Sequence, residues 1–289
     1  MKMFWFGRNW KNYVKHVVTE KTLEEAKESL FKYVPQDISK DEFYRNKVFI
    51  DFGCGSGTFS LGALLTGCKK VISFDIQNES LEVTEMLKDK FKYLLNKLDH
   101  EYSWEIFRGD ILDDGLAETL SAFGDIVYSW GVLHHTGSMY KAIENACKLV
   151  KPGGFLIIAI YNHAPSSESW LKIKRFFNSH PPLQPFLALL YGVFVCSAYI
   201  IRRKTFNLYK DMGMHVFYDA IDWIGGYPYE YACYEEIQKF VENLGFTLVK
   251  SPTKLPCGKD SAETNPVKRF FQIIRAANTG CNEFVLKKT

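Results

Sequence analysis

The segment that decides the fold is Lys47-Val-Phe-Ile-Asp-Phe-Gly-Cys-Gly-Ser-Gly57. Its first part, 47–51, is a short apolar run typical of a buried strand, and it leads directly into a glycine-rich turn. Residues 59–65 are predicted to form the helix that follows. A strand that ends in closely spaced glycines and opens a helix brings backbone near a ligand, because a Cβ there would obstruct the approach or the required φ. The segment therefore predicts a ligand-binding turn within an α/β fold.

Strands and helices alternate on both sides of this turn. Further strands are predicted at 70–75, 104–108, 125–129, 155–161, 246–250 and 282–286, and helices at 80–98, 138–150 and 234–244. This alternation predicts a mostly parallel sheet with helices on both of its faces.

The same pattern divides the chain into regions. They are an N-terminal helical cover at 1–45, a core at 46–161 and 234–289, and a largely helical insertion at 162–233 that could cap a substrate. Within the cover, a helical pattern opens at Lys21 and stops at Pro35.

Composition is that of a soluble globular protein, with 47% hydrophobic and 24% charged residues. The net charge of +3 is too small to indicate a nucleic-acid partner. None of the seven cysteines is paired at Cys-x-x-Cys spacing, so neither a disulfide framework nor a zinc site is predicted. The N-terminus lacks the apolar core of a signal peptide, and the expected location is the cytoplasm.

One apolar segment stands out in the insertion. Residues 186–201 are apolar or small, and Arg202, Arg203 and Lys204 follow at once. Sixteen residues fall short of the ~20 that a spanning helix needs, so a buried helix is the first expectation. The alternative is peripheral membrane contact through 186–204, with the basic triplet facing lipid headgroups.

The glycine spacing distinguishes two cofactor classes. The nicotinamide fingerprint places its third glycine one position later than here, where this chain has Thr58. An acid, Asp51, instead stands two residues before Gly53. This arrangement resembles motif I of class I (Rossmann-like) S-adenosylmethionine-dependent methyltransferases.

Later landmarks extend the resemblance in the expected order. Asp75 ends the second strand, where an acid can accept hydrogen bonds from both ribose hydroxyls. Arg108-Gly-Asp-Ile111 is similar to the segment that these enzymes place near the adenine amino group. The run that follows 125–129 and the turn at 151–154 are similar to the segments around the fourth and fifth strands.

Membership of this family implies a seven-stranded sheet in the order 3-2-1-4-5-7-6 with the seventh strand antiparallel. It also implies S-adenosylmethionine as cofactor and S-adenosylhomocysteine as product. The cofactor-binding residues so implied are Trp10, Asp51, Gly53, Gly55, Gly57, Asp75, Ile76, Asp110, Ile111, Ser129 and Trp130. Segments that begin at Phe6, Asp222 and Gly280 resemble a bacterial subgroup of these enzymes, which does not indicate the substrate.

Candidate catalytic groups lie in two places. His134 and His135 follow the fourth strand, close to the implied cofactor site, and either could remove a proton from a hydroxyl acceptor. In the insertion, His215 and Asp219 are four residues apart and share one face of a predicted helix, where the carboxylate could orient the histidine. No metal is predicted, because Asp222 would be the third ligand on one short helix, which is poor geometry.

These features predict a methyltransferase acting on a small or medium organic acceptor. O-methylation of a sugar, a glycan precursor, lipid-linked or not, or another hydroxylated metabolite, with histidine as general base, fits the polar groups of the insertion. A quinone or other lipid, methylated at a membrane surface, would fit the apolar run at 186–201. Methylation of RNA such as tRNA is disfavoured by the modest charge and by the lack of an appended RNA-binding module.

Overall fold

The structure is a computed structural model, and it describes residues 6–208, 215–259 and 279–289. Seven strands form one sheet in the order β3-β2-β1-β4-β5-β7-β6. The strands are β1 (Val48–Phe52), β2 (Lys70–Asp75), β3 (Ser103–Arg108), β4 (Gly124–Trp130), β5 (Val150–Tyr161), β6 (Phe246–Thr253) and β7 (Cys281–Lys288). Strands β1 to β5 are parallel, and β7 runs antiparallel to both β5 and β6. The predicted sheet order and the antiparallel seventh strand are confirmed.

Twelve α-helices connect and cover these strands in the described part of the chain. They are α1 (Phe6–His16), α2 (Glu20–Phe31), α3 (Lys40–Tyr44), α4 (Thr58–Leu65), α5 (Asn78–Lys90), α6 (Lys92–Leu95), α7 (Asp114–Thr119), α8 (Met139–Leu149), α9 (Ser167–Ser179), α10 (Gln184–Arg203), α11 (Val216–Gly225) and α12 (Tyr234–Glu242). The long helix predicted at 80–98 is broken at Phe91 into α5 and α6. Strand β5 starts earlier than predicted, because an irregularity in its pairing with β4 absorbs the Pro-Gly-Gly turn.

Apolar side chains fill both faces of the sheet. On one face, helices α8 and α12 pack against the strands through residues such as Ile143 and Ile237. On the other face, α4 and α5 pack together with the N-terminal helices, which contribute Val14, Leu23 and Leu30. The predicted N-terminal cover is therefore part of the core layer, and helices on both faces are confirmed.

The insertion after β5 is helical, as predicted, but its apolar helix α10 is not buried. Of its residues only Gly192 is buried, and large side chains such as Phe186 and Ile201 are exposed. The expectation of a buried helix was wrong because α10 is the outermost layer and packs along one side only, chiefly on α11. By length and composition alone, the 23-residue stretch Pro181–Arg203 could cross a membrane, with a mean hydropathy of 1.8.

A disulfide joins Cys233 and Cys257, whose Cα atoms are 5.1 Å apart. The sequence predicted no disulfide, because these residues are 24 positions apart and match no short cysteine motif. The pair forms because Cys233 precedes α12 while Cys257 follows β6, and the chain between them doubles back. The predicted regions also include residues 1–5, 209–214 and 260–278, which lie outside the described residues.

Candidate functional site

A cavity of about 700 Å³ opens at the carboxyl ends of the parallel strands, beneath the insertion. This is where open α/β sheets bind their ligands. One part, which we call the cofactor half, is lined by Trp10, Asp51, Gly53, Gly55, Asp75, Ile76, Asp110, Ile111 and Trp130. The other part, which we call the acceptor half, is lined by His135, Tyr161, Tyr191, Val195, Asp219, Asp222, Trp223 and Cys281.

The glycine turn after β1 needs its glycines for two separate reasons. Gly53, Gly55 and Gly57 all have positive φ, between 53° and 75°, which side chains rarely adopt. A Cβ on Gly53 would also lie 2.5 Å from Val132, and one on Gly57 would lie 2.6 Å from Thr84. The turn is therefore fixed both by backbone conformation and by packing against neighbouring side chains.

The Asp75 carboxylate is held at the cavity wall by backbone donors. Its two oxygens accept hydrogen bonds from the N–H of Gln77 at 2.9 Å and of Gly55 at 3.2 Å. Burial raises the pKa of this group from its usual value. An oriented, partly desolvated carboxylate at this strand end suits a pair of ligand hydroxyls.

Asp51 lies deeper, at the head of a hydrogen-bonded chain of side chains. Ser60 Oγ donates to its carboxylate at 2.5 Å and lies 2.7 Å from Ser73 Oγ, which accepts from Trp104 Nε1 at 2.8 Å. Burial raises the pKa of Asp51 to about 7, an effect that the bond from Ser60 only partly offsets. A cationic ligand beside it would favour the charged form of this acid.

The acceptor half is walled by aromatic rings. The ring centroid of Trp223 lies 5.3 Å from Tyr161, 5.9 Å from Tyr229 and 5.2 Å from Trp170. Lys174 Nζ lies 4.1 Å from the centroid of Trp223 and donates to its backbone carbonyl. Burial holds the pKa of Lys174 well below its usual value. The indole N–H groups of Trp170 and Trp223 are buried without a hydrogen-bond partner among the described residues.

Comparison with known proteins identifies the family. A family model described as a methyltransferase domain matches residues 22–187, more than half of the chain. The chain belongs to this methyltransferase family.

Curated relatives match part of the chain. A ribosomal protein L11 methyltransferase from Colwellia psychrerythraea is 32% identical over 106 residues, covering 35% of this chain and 36% of the relative. A protein of the same name from Legionella pneumophila (strain Lens) is 49% identical over 41 residues, or 14% of each chain. The chain thus spans about a third or less of the length of the curated relatives it matches.

Among solved structures, PKMT2 from Rickettsia typhi in complex with AdoHcy has a TM-score of 0.53. It is 15% identical, and the match covers 92% of this chain and 53% of that one. This likeness shows a shared fold. The family match alone assigns this chain to the methyltransferases, and membership of that family implies S-adenosylmethionine as cofactor and S-adenosylhomocysteine as product.

The cofactor half fits that cofactor. Asp75 offers oriented carboxylate oxygens for hydroxyls, and Asp51 offers a deep acid for positive charge. Asp110 is fixed by accepting a bond from the Leu112 N–H at 2.9 Å. Of the predicted cofactor-binding residues, Gly57 and Ser129 do not themselves line the cavity of this methyltransferase. The assignment of individual residues to the cofactor stays a prediction.

Gly57 and Ser129 support the turn from behind. Gly57 precedes helix α4 at its N-terminus. Ser129 is buried in β4, and its hydroxyl donates to the Phe52 carbonyl at 3.1 Å, which ties the ends of β1 and β4 together. Both residues shape the cofactor half through the backbone of the strands that border it.

The two adjacent histidines after β4 lie in different surroundings. His135 lines the cavity, whereas His134 is fully buried behind the surface. The Nδ1 of His134 accepts a hydrogen bond from the Tyr161 N–H at 3.2 Å, and burial lowers its pKa far below the usual value. His134 therefore positions the end of β5, and the structure gives it no contact with the cavity.

His135 is held in a defined tautomer. Its Nδ1 lies 2.6 Å from the carbonyl oxygen of Pro228, and because a carbonyl can only accept, Nδ1 carries the proton. Nε2 is then the nitrogen able to take a proton. Burial, with a further contribution from Lys174, lowers the pKa of His135 to about 3, so the ring is neutral at neutral pH.

The two catalytic candidates predicted in the insertion, His215 and Asp219, also lie in different surroundings. Asp219 and Asp222 line the cavity from α11, whereas His215 does not. His215 is the residue before α11, and its Nδ1 accepts a bond from the Phe217 N–H at 3.2 Å, which caps the helix. His135 and Asp219 thus line one cavity, whereas His215 lies outside its lining and contacts Asp219 through the backbone, where its carbonyl accepts from the Asp219 N–H at 3.0 Å.

Glu283 is a residue that the sequence did not identify as central. Its buried carboxylate accepts hydrogen bonds from Lys32, Tyr33 and Trp130 at 2.8 Å and from Thr253 at 2.7 Å. It thereby ties the N-terminal cover and β6 to a residue that lines the cofactor half. Its sequence signal was a carboxylate next to Asn282, at the start of the strand predicted over 282–286.

Among the described residues, no group of three or more histidine, cysteine, aspartate or glutamate side chains is placed to hold a metal ion.

Proposed function

We propose that this methyltransferase transfers a methyl group to a hydroxyl of a small or medium organic acceptor, such as a sugar, a glycan precursor or another hydroxylated metabolite, with His135 as the general base. The observation that carries the proposal is the tautomer of His135. Its Nδ1–H donates to the Pro228 carbonyl, so the lone pair of the neutral ring lies on Nε2, in a residue of the cavity wall.

The chemistry follows from what the acceptor half contains. When bound, the cofactor supplies a methyl group on a sulfonium and leaves as a neutral thioether. Nε2 of His135 would take the proton that the acceptor hydroxyl loses when its oxygen is methylated. Asp219 and Asp222 lie in the same wall, where they can accept hydrogen bonds from other acceptor hydroxyls and offset the positive charge on the imidazole.

The closed aromatic wall supports a compact acceptor. Tyr161, Tyr191 and Trp223 cover apolar surface and exclude water from the reacting atoms.

Cell extracts incubated with methyl-labelled cofactor and separated into protein, RNA, lipid and small-molecule fractions test the acceptor. We expect the label in small molecules or lipids, as an ether methyl identified by mass spectrometry. Label in the protein or RNA fraction, or on nitrogen or carbon, would contradict the proposal.

The base is tested by His135→Asn, since the asparagine amide can still donate to the Pro228 carbonyl. We expect turnover to fall about 100-fold to 10,000-fold, while calorimetric affinity for S-adenosylhomocysteine stays within about threefold. The matched control is His180→Asn, at an exposed histidine that follows α9. Equal turnover in both variants would remove His135 from the mechanism.

A further inference from the structure

Helix α10 exposes an apolar stripe along most of its length. Phe186, Leu189, Leu190, Val193, Phe194 and Ile201 are between 47% and 77% exposed. Their spacing of three and four residues places them on one face of the helix. An apolar face this long is unusual on a soluble monomer, and it indicates a binding surface for a protein or a membrane.

The opposite face of the same helix is packed. Gly192 lets α10 approach α11 so closely that a Cβ would lie 2.5 Å from the ring of Phe217. Tyr191 contacts Trp170 with ring centroids 5.8 Å apart, and Tyr191 and Val195 line the acceptor half. Helix α10 is thus a partition, with the cavity on one side and an exposed apolar face on the other.

The segment that contains this helix carries mainly positive charge. Exposed cations lie in α9 and at the end of α10: Lys172, Arg175, Arg202, Arg203 and Lys204. Over residues 162–208 the only acid is Glu168, although the whole chain carries a net charge of only +3. Positive charge beside an exposed apolar helix is complementary to anionic lipid headgroups.

We propose that α10 docks this methyltransferase on an anionic lipid bilayer, with the helix in the plane of the membrane surface. The exposed stripe enters the acyl boundary, and the flanking arginines and lysines meet the headgroups. A spanning orientation would surround the helix with lipid, strip it from α11 and open the cavity wall that Tyr191 and Val195 form.

This docking also specifies the acceptor class, an inference that rests on the proposed O-methylation. The cavity of about 700 Å³ must hold both cofactor and acceptor. A long-chain acceptor therefore fits only with its head group, while its chain stays in the adjoining lipid. We infer that the acceptor is a membrane amphiphile with a hydroxyl-bearing head group.

Flotation with vesicles tests the docking. The full chain is expected to float with vesicles of phosphatidylcholine containing phosphatidylglycerol, about tenfold more than with pure phosphatidylcholine, and to be released by high salt. The variant Leu189→Gln, Val193→Gln, Phe194→Gln should lose binding about tenfold. The matched control Phe123→Gln, Val249→Gln removes exposed apolar residues from distant surfaces and should float like the wild type.

Three results would overturn the docking. The wild type could stay at the bottom of the gradient with both vesicle types. It could resist extraction from membranes by alkaline carbonate, which would indicate a spanning helix. Light scattering could show a dimer that the glutamine variant splits, which would assign the face to a second copy of the chain.

The acceptor class is tested by where the label goes. With native membranes and methyl-labelled cofactor, we expect the product in the chloroform–methanol phase, and about tenfold less in the glutamine variant, whose affinity for S-adenosylhomocysteine is unchanged. A water-soluble O-methyl product would overturn the amphiphile and leave the O-methylation intact. A lipid product methylated on nitrogen would instead contradict the O-methylation.

Discussion

The cofactor half and the acceptor half of the cavity share one wall of the sheet but are assembled differently. In the cofactor half, Asp75 and Asp110 accept hydrogen bonds from backbone N–H groups within two residues, at Gln77 and Leu112. In the acceptor half, His135, Tyr161 and Trp223 come from three distant segments, and an indole N–H is left without a partner among the described residues.

The comparison distinguishes side chains that are held by their own turn from side chains that are positioned by the packing of distant segments. A carboxylate held by its own turn is oriented whatever else the cavity contains. Buried donors without partners are costly unless an acceptor satisfies them. The cofactor half is therefore preorganised by its own turns, whereas the acceptor half depends on how distant segments pack and contains a buried donor without a partner among the described residues.

The largest expected effect concerns the anchor of the cofactor half. Glu283→Gln leaves one of its four donors without an acceptor and weakens the bond from Lys32. We expect a loss of about 4 kcal/mol in the free energy of unfolding, measured by urea denaturation. Glu105→Gln is the control, because the Glu105 side chain is 53% exposed and its ion pair with Lys70 should be worth less than about 1 kcal/mol. Similar losses in both would mean that Glu283 is not a structural hub.

The glycine turn is the next test of preorganisation. Gly53→Ala adds both a disfavoured φ and a clash with Val132, and we expect affinity for S-adenosylhomocysteine to fall about 100-fold. Gly153→Ala imposes a similar φ of 74° with no atom within 4 Å of its Cβ. It should cost about 1 kcal/mol of stability and leave calorimetric affinity unchanged. Unchanged affinity for S-adenosylhomocysteine in Gly53→Ala would contradict the preorganisation of the cofactor half.

A smaller effect on the free energy of unfolding is expected from the titration of Asp51. Because the folded state raises its pKa to about 7, wild-type stability is lost as pH rises from about 4 to 7. Asp51→Asn lacks this proton, so its stability relative to wild type should increase by about 2 kcal/mol between pH 5 and pH 8. Urea denaturation of the cofactor-free protein measures this, and a pH-independent difference would contradict it.

The smallest expected effect is on the protonation state of His135, which should not change over the pH range in which the protein is studied. With its pKa lowered to about 3, the ring should stay neutral and protonated on Nδ1 from pH 8 down to pH 5. Nuclear magnetic resonance of ¹⁵N-histidine, assigned with His135→Asn, measures this directly. Titration of this resonance near pH 6.5 would show that the acceptor half is more solvated than the structure indicates.

Much of the fold could be predicted from local patterns. Short apolar runs predicted the strands, and the landmarks at Asp51, Asp75 and Asp110 predicted the sheet order through resemblance to a known family. Strand and helix boundaries shifted where pairing intervened, as at β5 and at the break before α6. Long-range pairing and packing, which set these boundaries, leave only a weak trace in local sequence.

The expectations that were wrong or incomplete concern contacts between segments that are far apart in the sequence. The hydrophobicity of 186–201 predicted burial, yet the same residues form the outermost layer. Spacing could not show that Cys233 meets Cys257, or that Glu283 gathers four donors from three regions. Each of these depends on contacts between segments that are remote along the chain.

The sequence by itself predicted where the acids and glycines of the cofactor half would lie, because these residues are placed by their own strand ends and neighbouring backbone. Only the tertiary structure decided that His135 lines the cavity while His134, its neighbour, is buried behind it. It also decided that α10 turns its apolar stripe outward. A side chain is buried when another element packs over it. In this protein the packing of the insertion on the sheet determines which side chains are covered, and the order of residues within the insertion does not.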